Sequence, residues 1–373
     1  MAADHRRPAQ PAEIYLFPIG LASRYALADL TACDRALPLA GGPLAFTALR
    51  VIERRGDGRS SREMSVGSLR AWAAETPHDQ RVKTLLARLS APRHNPRGGP
   101  FEQPWIMGVV NVTPDSFSDS GDHLAPAQAV DQALALAAAG ADIVDIGGES
   151  TRPGAQPVTA EQEARRIAPV FERLASQRDA LGGALLSIDS RRAATLSLAL
   201  AQGADMVNDV SALRADPKSL RVAAESEAHV ALMHMQGDPA TMNKAPSYRD
   251  VALDIFDWLE VRIESVVAAG IPRERLIVDP GIGFGKKSVH NLGILSQLAL
   301  FHGLGCPLLL GVSRKGLSGV FERANPPKDR LPGSLAAALH GLGQGVQIFR
   351  VHDVAETRQA FQVWRGVAEG MLA

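Results

Sequence analysis

The chain has 373 residues, and its 40 Lys and Arg balance 40 Asp and Glu, so the formal net charge at pH 7 is zero. An apolar fraction of 46% with 21% charged residues allows a large core and excludes a wholly disordered chain. Zero net charge argues against general nucleic-acid binding, and two cysteines exclude a disulfide framework or a cysteine-rich metal site.

The charge is distributed unevenly, and the start of the chain does not look like a targeting signal. Residues 1–100 carry 15 Lys and Arg against 9 Asp and Glu, an excess of +6, and the remaining residues carry −6. Pro18 and Gly20 interrupt the apolar run at residues 14–22, so we do not expect a secretory signal. No stretch is long and apolar enough to span a membrane. We expect a protein of the reducing cytoplasm.

The first hundred residues predict a small unit of mixed α and β structure without a chemical motif. Its predicted elements are a strand, a hairpin tip and two short helices, at residues 46–54, 55–59, 68–75 and 81–89. Residues 91–100 contain three Pro and two Gly and read as a linker. We therefore predict an N-terminal extension over residues 1–100 and a second domain over residues 101–373.

Short apolar runs alternate with alanine-rich helical patterns after the linker. The predicted strands are 106–110, 143–146, 185–188, 206–208, 229–233, 276–278, 308–312 and 348–351. The predicted helices are 126–139, 160–175, 193–201, 218–225, 251–269, 289–301, 334–343 and 354–368. Eight alternating pairs favour a (β/α)8 TIM barrel. A doubly wound open sheet also alternates, but no Gly-x-Gly-x-x-Gly opens the first unit.

Polar and ionisable side chains, which can bind ligands or take part in catalysis, directly follow the predicted strands. They are Asn111, Glu149, Asp189, Asn208, Asp209, His234, Asp279, Arg314, Lys315, His352 and Asp353. The carboxyl ends of barrel strands converge on one rim, where such enzymes carry out their chemistry. A single polar residue at a strand end is usually a helix cap or turn former, but capping does not explain such residues at all eight strands. The rim is therefore the predicted active site.

The residue types at the rim suggest the kind of ligand. Asp189, Asn208 and Asp279 can pair with a heterocycle rich in hydrogen-bond donors and acceptors. Arg350 and His352 can hold a polyanion. Gly-rich residues 281–285 lack the spacing of a dinucleotide or phosphate loop, and no Ser-His-Asp order occurs.

Eight segments in chain order then identify a known family. They are Met107–Asp119, Asp145–Gly154, Ser187–Ser190, Val207–Val210, Met233–Pro239, Asp279–Lys286, Ser313–Lys315 and Arg350–Val354. Together they resemble the dihydropteroate synthase family of pterin-binding TIM barrels over roughly residues 105–365. The resemblance implies a sulfonamide-targeted transferase of folate biosynthesis. Such an enzyme condenses 6-hydroxymethyl-7,8-dihydropterin diphosphate with p-aminobenzoate, giving 7,8-dihydropteroate and diphosphate.

The resemblance also implies roles for individual residues. The pterin would be bound by Asp189, Asn208, Asp279, Lys315 and Arg350. The diphosphate would be bound by Asn111, Arg350 and His352, with Mg²⁺ held at Asn111. The p-aminobenzoate pocket would be shaped by Thr151, Arg152, Pro153, Phe284 and Ser313. Asp279, Lys315, Arg350 and His352 are the expected catalytic residues. Segments 113–121 and 150–156 would close over the site, and the protein would form a homodimer.

Several interpretations stay open at this point. Asp145 and Asp209 could act in the site or only orient their neighbours, and Arg314 and Lys286 could be solvated surface charges. Gly316 departs from the polar residue frequent in the family, and Ser120 from a frequent Gly. The alternative functions are a pterin-binding methyltransferase of the same superfamily, a non-catalytic pterin-binding paralogue and, less favoured, an aldolase that forms a Schiff base on Lys315.

Overall fold

The chain divides into two compact units in the computed structural model, which describes residues 13–112, 125–149, 158–238, 241–242, 244–317, 326 and 329–369. One unit runs to Pro92 and also contains Ala299–Gly305. The other contains Arg93–Leu298 and resumes at Cys306. Within the described ranges, none of the helices has the length and hydropathy that a membrane span requires.

The first unit is built from short strands and three helices. In chain order its elements are β1 (Glu13–Ile19), β2 (Ala22–Ser23), α1 (Ala28–Ala32), β3 (Leu37–Pro38), β4 (Leu44–Phe46), β5 (Ala48–Arg55), β6 (Gly58–Ser65), α2 (Val66–Ala74) and α3 (Asp79–Ser90). The strands form two antiparallel sheets, ordered β1-β5-β6 and β2-β4-β3. Tyr15, Phe46 and Leu49 are fully buried in its core.

The predicted strand at residues 46–54 is in fact two strands. The chain passes from the sheet of β4 to the sheet of β5 at Thr47, so the apolar run contributes to both sheets. The predicted hairpin tip is confirmed, because Arg55 pairs with Gly58 across a two-residue loop. Gly56 has a φ of +53° in this loop, a conformation that favours glycine. Both predicted helices are confirmed as α2 and α3.

The second unit carries eight parallel strands. Its strands are β7 (Trp105–Asn111), β8 (Ile143–Gly147), β9 (Leu185–Asp189), β10 (Met206–Asp209), β11 (His229–Met233), β12 (Leu276–Asp279), β13 (Leu309–Leu310) and β14 (Ile348–Val351). Its helices are α4 (Ala125–Ala138), α5 (Ala160–Ser176), α6 (Ala193–Ala201), α7 (Ser219–Ala224), α8 (Val251–Ala268), α9 (Ser288–Leu295), α10 (Leu331–Gly343) and α11 (Val354–Glu369).

These strands close into a barrel. The sheet runs in the order β12-β11-β10-β9-β8-β7-β14-β13, and a parallel bridge between Val278 and Leu308 joins its two ends. Inward-facing side chains fill the barrel interior. They are Trp105, Met107, Ile143, Met206, Ala231, Ile277, Leu309 and Ile348. This packed interior confirms the predicted TIM barrel and directs the strand ends to one rim.

Local signals explain where the barrel helices begin. Thr159 accepts a hydrogen bond from the backbone N–H of Gln162, whose side chain accepts one from the N–H of Thr159, which is a capping box for α5. Asp250 caps α8 by accepting from Leu253 N.

Two elements are shorter than the sequence predicts. Strand β13 covers Leu309–Leu310 rather than residues 308–312, and Gly311 and Ser313 beyond it line the pocket described below. The helix predicted at residues 289–301 ends at Leu295, and a 3-10 helix covers Leu298–Leu304.

Candidate active site

A pocket that is partly open to solvent lies at the carboxyl ends of the barrel strands. Its described lining includes seven of the predicted site residues: Asn208, Asp279, Phe284, Ser313, Lys315, Arg350 and His352. Val109, Val210, Met233 and Gly311 complete the lining. The pocket therefore combines apolar walls with a few charged groups, which is typical of a small-molecule site.

Arg350 links two carboxylates at the base of the pocket. Its Nε donates to Asp145 Oδ2 and its Nη2 to Asp189 Oδ2, both at 2.7 Å. Asn208 Nδ2 donates to the same Asp145 oxygen at 3.0 Å. Asp145 is fully buried, so it holds both Arg350 and Asn208 in place from below. This contact settles the open interpretation of Asp145 as an orienting residue.

Burial sets the protonation of this group. Burial raises the pKa of Asp189 to about 7, the charge of Arg350 opposes the rise, and the neighbouring Asp145 adds to it. Burial also disfavours the charged form of Arg350, but the two carboxylates outweigh this effect and hold its pKa above the usual value. Asp189 can therefore change its charge near neutral pH while Arg350 stays a cation.

Asp279 and Lys315 form a second charged pair in the pocket, across Gly311. A Cβ added at Gly311 would lie 3.7 Å from Lys315 Nζ and 3.9 Å from Asp279 Oδ2. A larger residue at this position would therefore reduce the space between these two side chains. Burial raises the pKa of Asp279, and the charge of Lys315 opposes this. Burial lowers the pKa of Lys315 to about 8, and the charge of Asp279 opposes that shift.

Phe284 forms the wall beside Lys315. The ammonium nitrogen of Lys315 lies 4.8 Å from the centre of the Phe284 ring and donates to the carbonyl of Ile282. Phe284 also packs against Val210 and Met233 in a small hydrophobic cluster. The glycine-rich turn after β12 therefore provides an aromatic wall and an anchor for Lys315.

Ser313 and His352 contact each other, and both line the pocket. Ser313 Oγ lies 3.0 Å from His352 Nδ1 and accepts from the backbone N–H of His352 at 3.1 Å. Arg314 donates from Nε to Asp353 Oδ2 at 3.1 Å, so it is an ion-pairing residue and not a solvated surface charge. Gly316 leaves room beside Arg330, whose Nη1 donates to the Arg314 carbonyl at 2.9 Å.

Asp209 has a structural role. Its carboxylate accepts from the N–H and the hydroxyl of Ser211 at 2.6 Å and from the N–H of Leu213 at 3.0 Å. Ala212 and Leu213 both have positive φ, +53° and +61°, which is strained for non-glycine residues. Asp209 therefore holds a strained turn that carries the pocket residue Val210.

Arg192 holds the two ends of the segment between residues 149 and 158. Its guanidinium donates to Glu149 Oε2 at 2.9 Å, to Glu149 Oε1 at 3.0 Å and to the carbonyl of Val158 at 2.6 Å. It also donates to Glu163 Oε2 at 2.9 Å. Sequence reasoning missed this residue, although it lies just after the Ser187–Ser190 motif.

Other predicted site residues lie outside the pocket lining. Asn111 is the last residue of β7 and is half-buried. Thr151, Arg152, Pro153, Ser120 and the whole of segments 113–121 and 150–156 lie outside the described residues. Their roles stay predictions.

Comparison with known proteins agrees with this geometry. The sequence model of the family described as "Pterin binding enzyme" matches residues 107–352. The dihydropteroate synthase of Escherichia coli strain K12 is 44% identical over 263 residues, which cover 70% of this chain and 91% of that protein. The dihydropteroate synthase of Neisseria meningitidis serogroup B is 43% identical over 284 residues, covering 74% and 98%.

Solved structures show the same similarity. The Xanthomonas albilineans dihydropteroate synthase with 4-aminobenzoic acid matches with a TM-score of 0.68 and 43% identity, covering 76% of this chain and 99% of that one. The Burkholderia cenocepacia enzyme complexed with 7,8-dihydropteroate matches with a TM-score of 0.66 and 37% identity, covering 75% and 97%. With the barrel, the strand-end pocket and these matches in agreement, the chain belongs to the dihydropteroate synthase family of pterin-binding enzymes.

Proposed function

We propose that this chain condenses 6-hydroxymethyl-7,8-dihydropterin diphosphate with p-aminobenzoate, the reaction of its family in folate biosynthesis. The observation that carries the proposal is the convergence of Asn208, Asp279, Lys315 and Arg350 in one pocket at the barrel rim. The neutral amide of Asn208 and the opposite charges of the other three side chains suit a flat heterocycle with donors and acceptors along its edge.

The pterin is proposed to enter the slot between the two charged pairs. Asp279 would accept hydrogen bonds from the amino-pyrimidinone edge, and Asn208 and Lys315 would bond the remaining ring atoms. Arg350 would lie against the ring, since Asp145 and Asp189 hold its guanidinium at the base of the slot. The buried carboxylates would strengthen these bonds because water is largely excluded.

The diphosphate is proposed to lie towards His352, with Arg350 and Asn111 as further contacts. Ser313 contacts the His352 ring at Nδ1 and so helps to orient it. These cationic and polar donors would stabilise the charge that collects on the departing diphosphate.

The residues present fit a Mg²⁺ ion that arrives with the diphosphate. No cluster of three or more His, Cys, Asp or Glu suited to a metal occurs among the described residues, so a dedicated protein cage is not favoured there. Mg²⁺ commonly uses one or two protein oxygens together with phosphate oxygens and water. Asn111, at the end of β7, would supply one such oxygen. When bound, the ion would neutralise diphosphate charge.

The chemical step is proposed to begin with the departure of diphosphate. The bond between the exocyclic carbon and oxygen breaks, and its electron pair leaves on diphosphate. The carboxylate of Asp279 would stabilise the positive charge that develops on the pterin. The amine nitrogen of p-aminobenzoate then forms the new carbon–nitrogen bond and releases a proton. This route needs no nucleophilic side chain.

The p-aminobenzoate is proposed to bind between Phe284 and Ser313. Both residues line the pocket, and the Phe284 ring offers an aromatic face to the arene. Thr151, Arg152 and Pro153 are proposed to complete this part of the site.

The assembly and location of the protein are also proposals. Val363 and Val367 lie one helical turn apart on α11 and are 64% and 80% exposed, which supports a homodimer that covers such apolar side chains. A cytoplasmic location is proposed because Cys33 and Cys306 are not joined in a disulfide.

One assay tests the proposed reaction against its alternatives. The purified chain is incubated with Mg²⁺, the pterin diphosphate and labelled p-aminobenzoate, and labelled 7,8-dihydropteroate is measured. We expect product only when both substrates are present. A folded chain that forms no product, or that instead transfers methyl from a methylated folate to a corrinoid, contradicts the proposal.

A further inference from the structure

The buried lysine of the glycine-rich turn, Lys286, has no role in the reaction as proposed above. Only 6% of the residue is exposed, although it sits beside the exposed Lys287 in a segment that looks like a basic loop tip. Its partners among the described residues are uncharged: His234 Nδ1 at 3.0 Å, the His234 carbonyl at 3.2 Å and the Phe284 carbonyl at 2.9 Å.

These three acceptors match the three donors of the ammonium form of Lys286. Burial lowers the pKa of Lys286 well below its ordinary value, and the charge of Asp279 opposes this. His234 can accept because it is neutral: burial and then the charge of Lys286 lower its pKa to about 2. The imidazole is fixed from the other side by the edge-on ring of Trp258, 5.0 Å away. Each N–H of the Lys286 ammonium therefore has an acceptor, and the side chain links His234 to the backbone of Phe284.

The glycine-rich turn at residues 281–285, which Lys286 contacts, needs other groups to fix its conformation. Gly281, Gly283 and Gly285 all have positive φ, between +63° and +83°. A Cβ at Gly281 would lie 2.0 Å from the His234 carbonyl oxygen, and one at Gly285 would lie 2.6 Å from that of Gln236. Glycine is thus required at both close approaches, and a glycine-rich turn has many accessible conformations unless other groups hold it.

The p-aminobenzoate side of the pocket depends on where this turn lies. Phe284 is a wall residue contributed by the turn itself. The carbonyl of Ile282, two residues earlier, accepts a hydrogen bond from the ammonium of Lys315. A displaced turn would therefore move both the aromatic wall and the cation beside it.

The pterin side of the pocket is joined to the same turn through Asp279 and His234. Asp279 Oδ1 accepts from Gly281 N at 2.7 Å, so the carboxylate is tied to the first residue of the glycine pattern. The backbone of His234 connects Asp279 to Lys286, since its N–H donates to the Asp279 carbonyl at 3.0 Å and its carbonyl accepts from Lys286 at 3.2 Å. Lys286 therefore contacts a backbone segment that also holds the end of β12.

We propose that Lys286 is a positioning residue for the condensation, which holds the glycine-rich turn so that Phe284 and Lys315 face the substrates correctly. The inference rests on the proposed function. Tyr248 is a second anchor of the same turn, because its hydroxyl donates to the Gly285 carbonyl at 2.7 Å. Neither side chain lines the described pocket, so both act through the turn and not by touching substrate.

The test compares Lys286→Met with Lys287→Met in the full chain. Methionine keeps the length of the lysine stem but cannot donate hydrogen bonds. Because small misplacements in an active site have large kinetic effects, we expect Lys286→Met to lower kcat per folded chain about tenfold or more. The exposed neighbour Lys287 is not among the residues of the described pocket lining, so Lys287→Met should leave kcat unchanged. The folded fraction is measured for each variant by urea denaturation.

Tyr248→Phe keeps the test decisive if Lys286→Met fails to fold. It removes one hydrogen bond and no ring atom, and we expect kcat to fall about threefold with an unchanged folded fraction, in proportion to one lost anchor. Equal kcat per folded chain in Lys286→Met, Tyr248→Phe and Lys287→Met would overturn the proposal. If the wild-type chain itself forms no dihydropteroate, the proposed function fails instead, so the two failures are distinguishable.

Discussion

Arg350 donates a 2.7 Å hydrogen bond from Nη2 to Oδ2 of Asp189. The two residues are 161 positions apart in the chain, and the barrel brings them together. The pair lies at the base of the pocket, where burial has raised the pKa of the carboxyl to about 7. The charge of the pocket floor therefore depends on pH in the neutral range, while the guanidinium keeps its charge.

The first prediction concerns activity at acidic pH. Because ionised Asp189 holds Arg350 at the base of the pocket, kcat/KM for the pterin diphosphate should fall as the pH drops below about 7. Asp189→Asn should remove this acidic limb as well as most of the affinity. The pH profile of both proteins, measured with p-aminobenzoate in excess, checks the prediction. An unchanged acidic limb in the variant would assign that limb to another group.

The pKa of Asp189 affects the stability of the fold in the direction opposite to its effect on activity. The pKa of Asp189 is higher in the folded chain than its ordinary value of 3.8, so the folded state binds the proton more tightly. This contribution to stability is fully present below pH 3.8 and is lost as the pH rises through about 7. The stability of Asp189→Asn relative to the wild type should therefore increase between these values, and urea denaturation across that pH range measures the increase.

The second prediction concerns activity at alkaline pH. Lys315 loses its charge near pH 8 because burial lowers its pKa, so an activity that needs the ammonium should decline above that pH. Lys315→Met should lower kcat/KM by about two orders of magnitude and abolish the alkaline limb. A variant that keeps the wild-type activity and profile would show that Lys315 is only a packing residue.

The third prediction concerns Asp145, which touches Arg350 and Asn208 from inside the barrel. Asp145→Ala removes one partner of a buried ion pair, and we expect a loss of roughly 3 kcal/mol in the free energy of unfolding. Asp145→Asn keeps the shape and should fold more stably than the alanine variant, yet bind pterin at least about tenfold more weakly because Arg350 loses a charged partner. Calorimetric titration with the pterin diphosphate measures that affinity. Equal affinities of Asp145→Asn and wild type would refute the orienting role.

The fourth prediction concerns the N-terminal unit. Residues Ala299–Gly305 belong to that unit, and Phe301 and Leu304 within them are fully buried. A chain that starts at Arg93 lacks the rest of the unit to which these buried side chains belong, so we expect its Tm to fall by roughly 10 °C. A shortened chain with the Tm of the full chain would contradict this account.

The sequence predicts the barrel well because each strand is a short apolar run and each rim residue directly follows one. The role of Asp145 could not be predicted, since it depends on Arg350, which lies 205 residues away in the chain. From the sequence, Lys286 is predicted to be a solvated charge beside Lys287. Its burial is explained by the acceptors on His234, which lies 52 residues earlier in the chain. The attachment of residues 299–305 to the N-terminal unit has no local signal either, because the same apolar run would suit a barrel helix.

Asp279 gives the most direct test of the central claim that the strand-end pocket binds the pterin. Its carboxylate lines the pocket beside Lys315, and its backbone lies at the end of β12. Calorimetric titration of wild type and Asp279→Ala with the pterin diphosphate, together with a Tm measurement, separates binding from folding. We expect the folded variant to bind the pterin diphosphate about a hundredfold more weakly or not at all. A folded variant with wild-type affinity would contradict it.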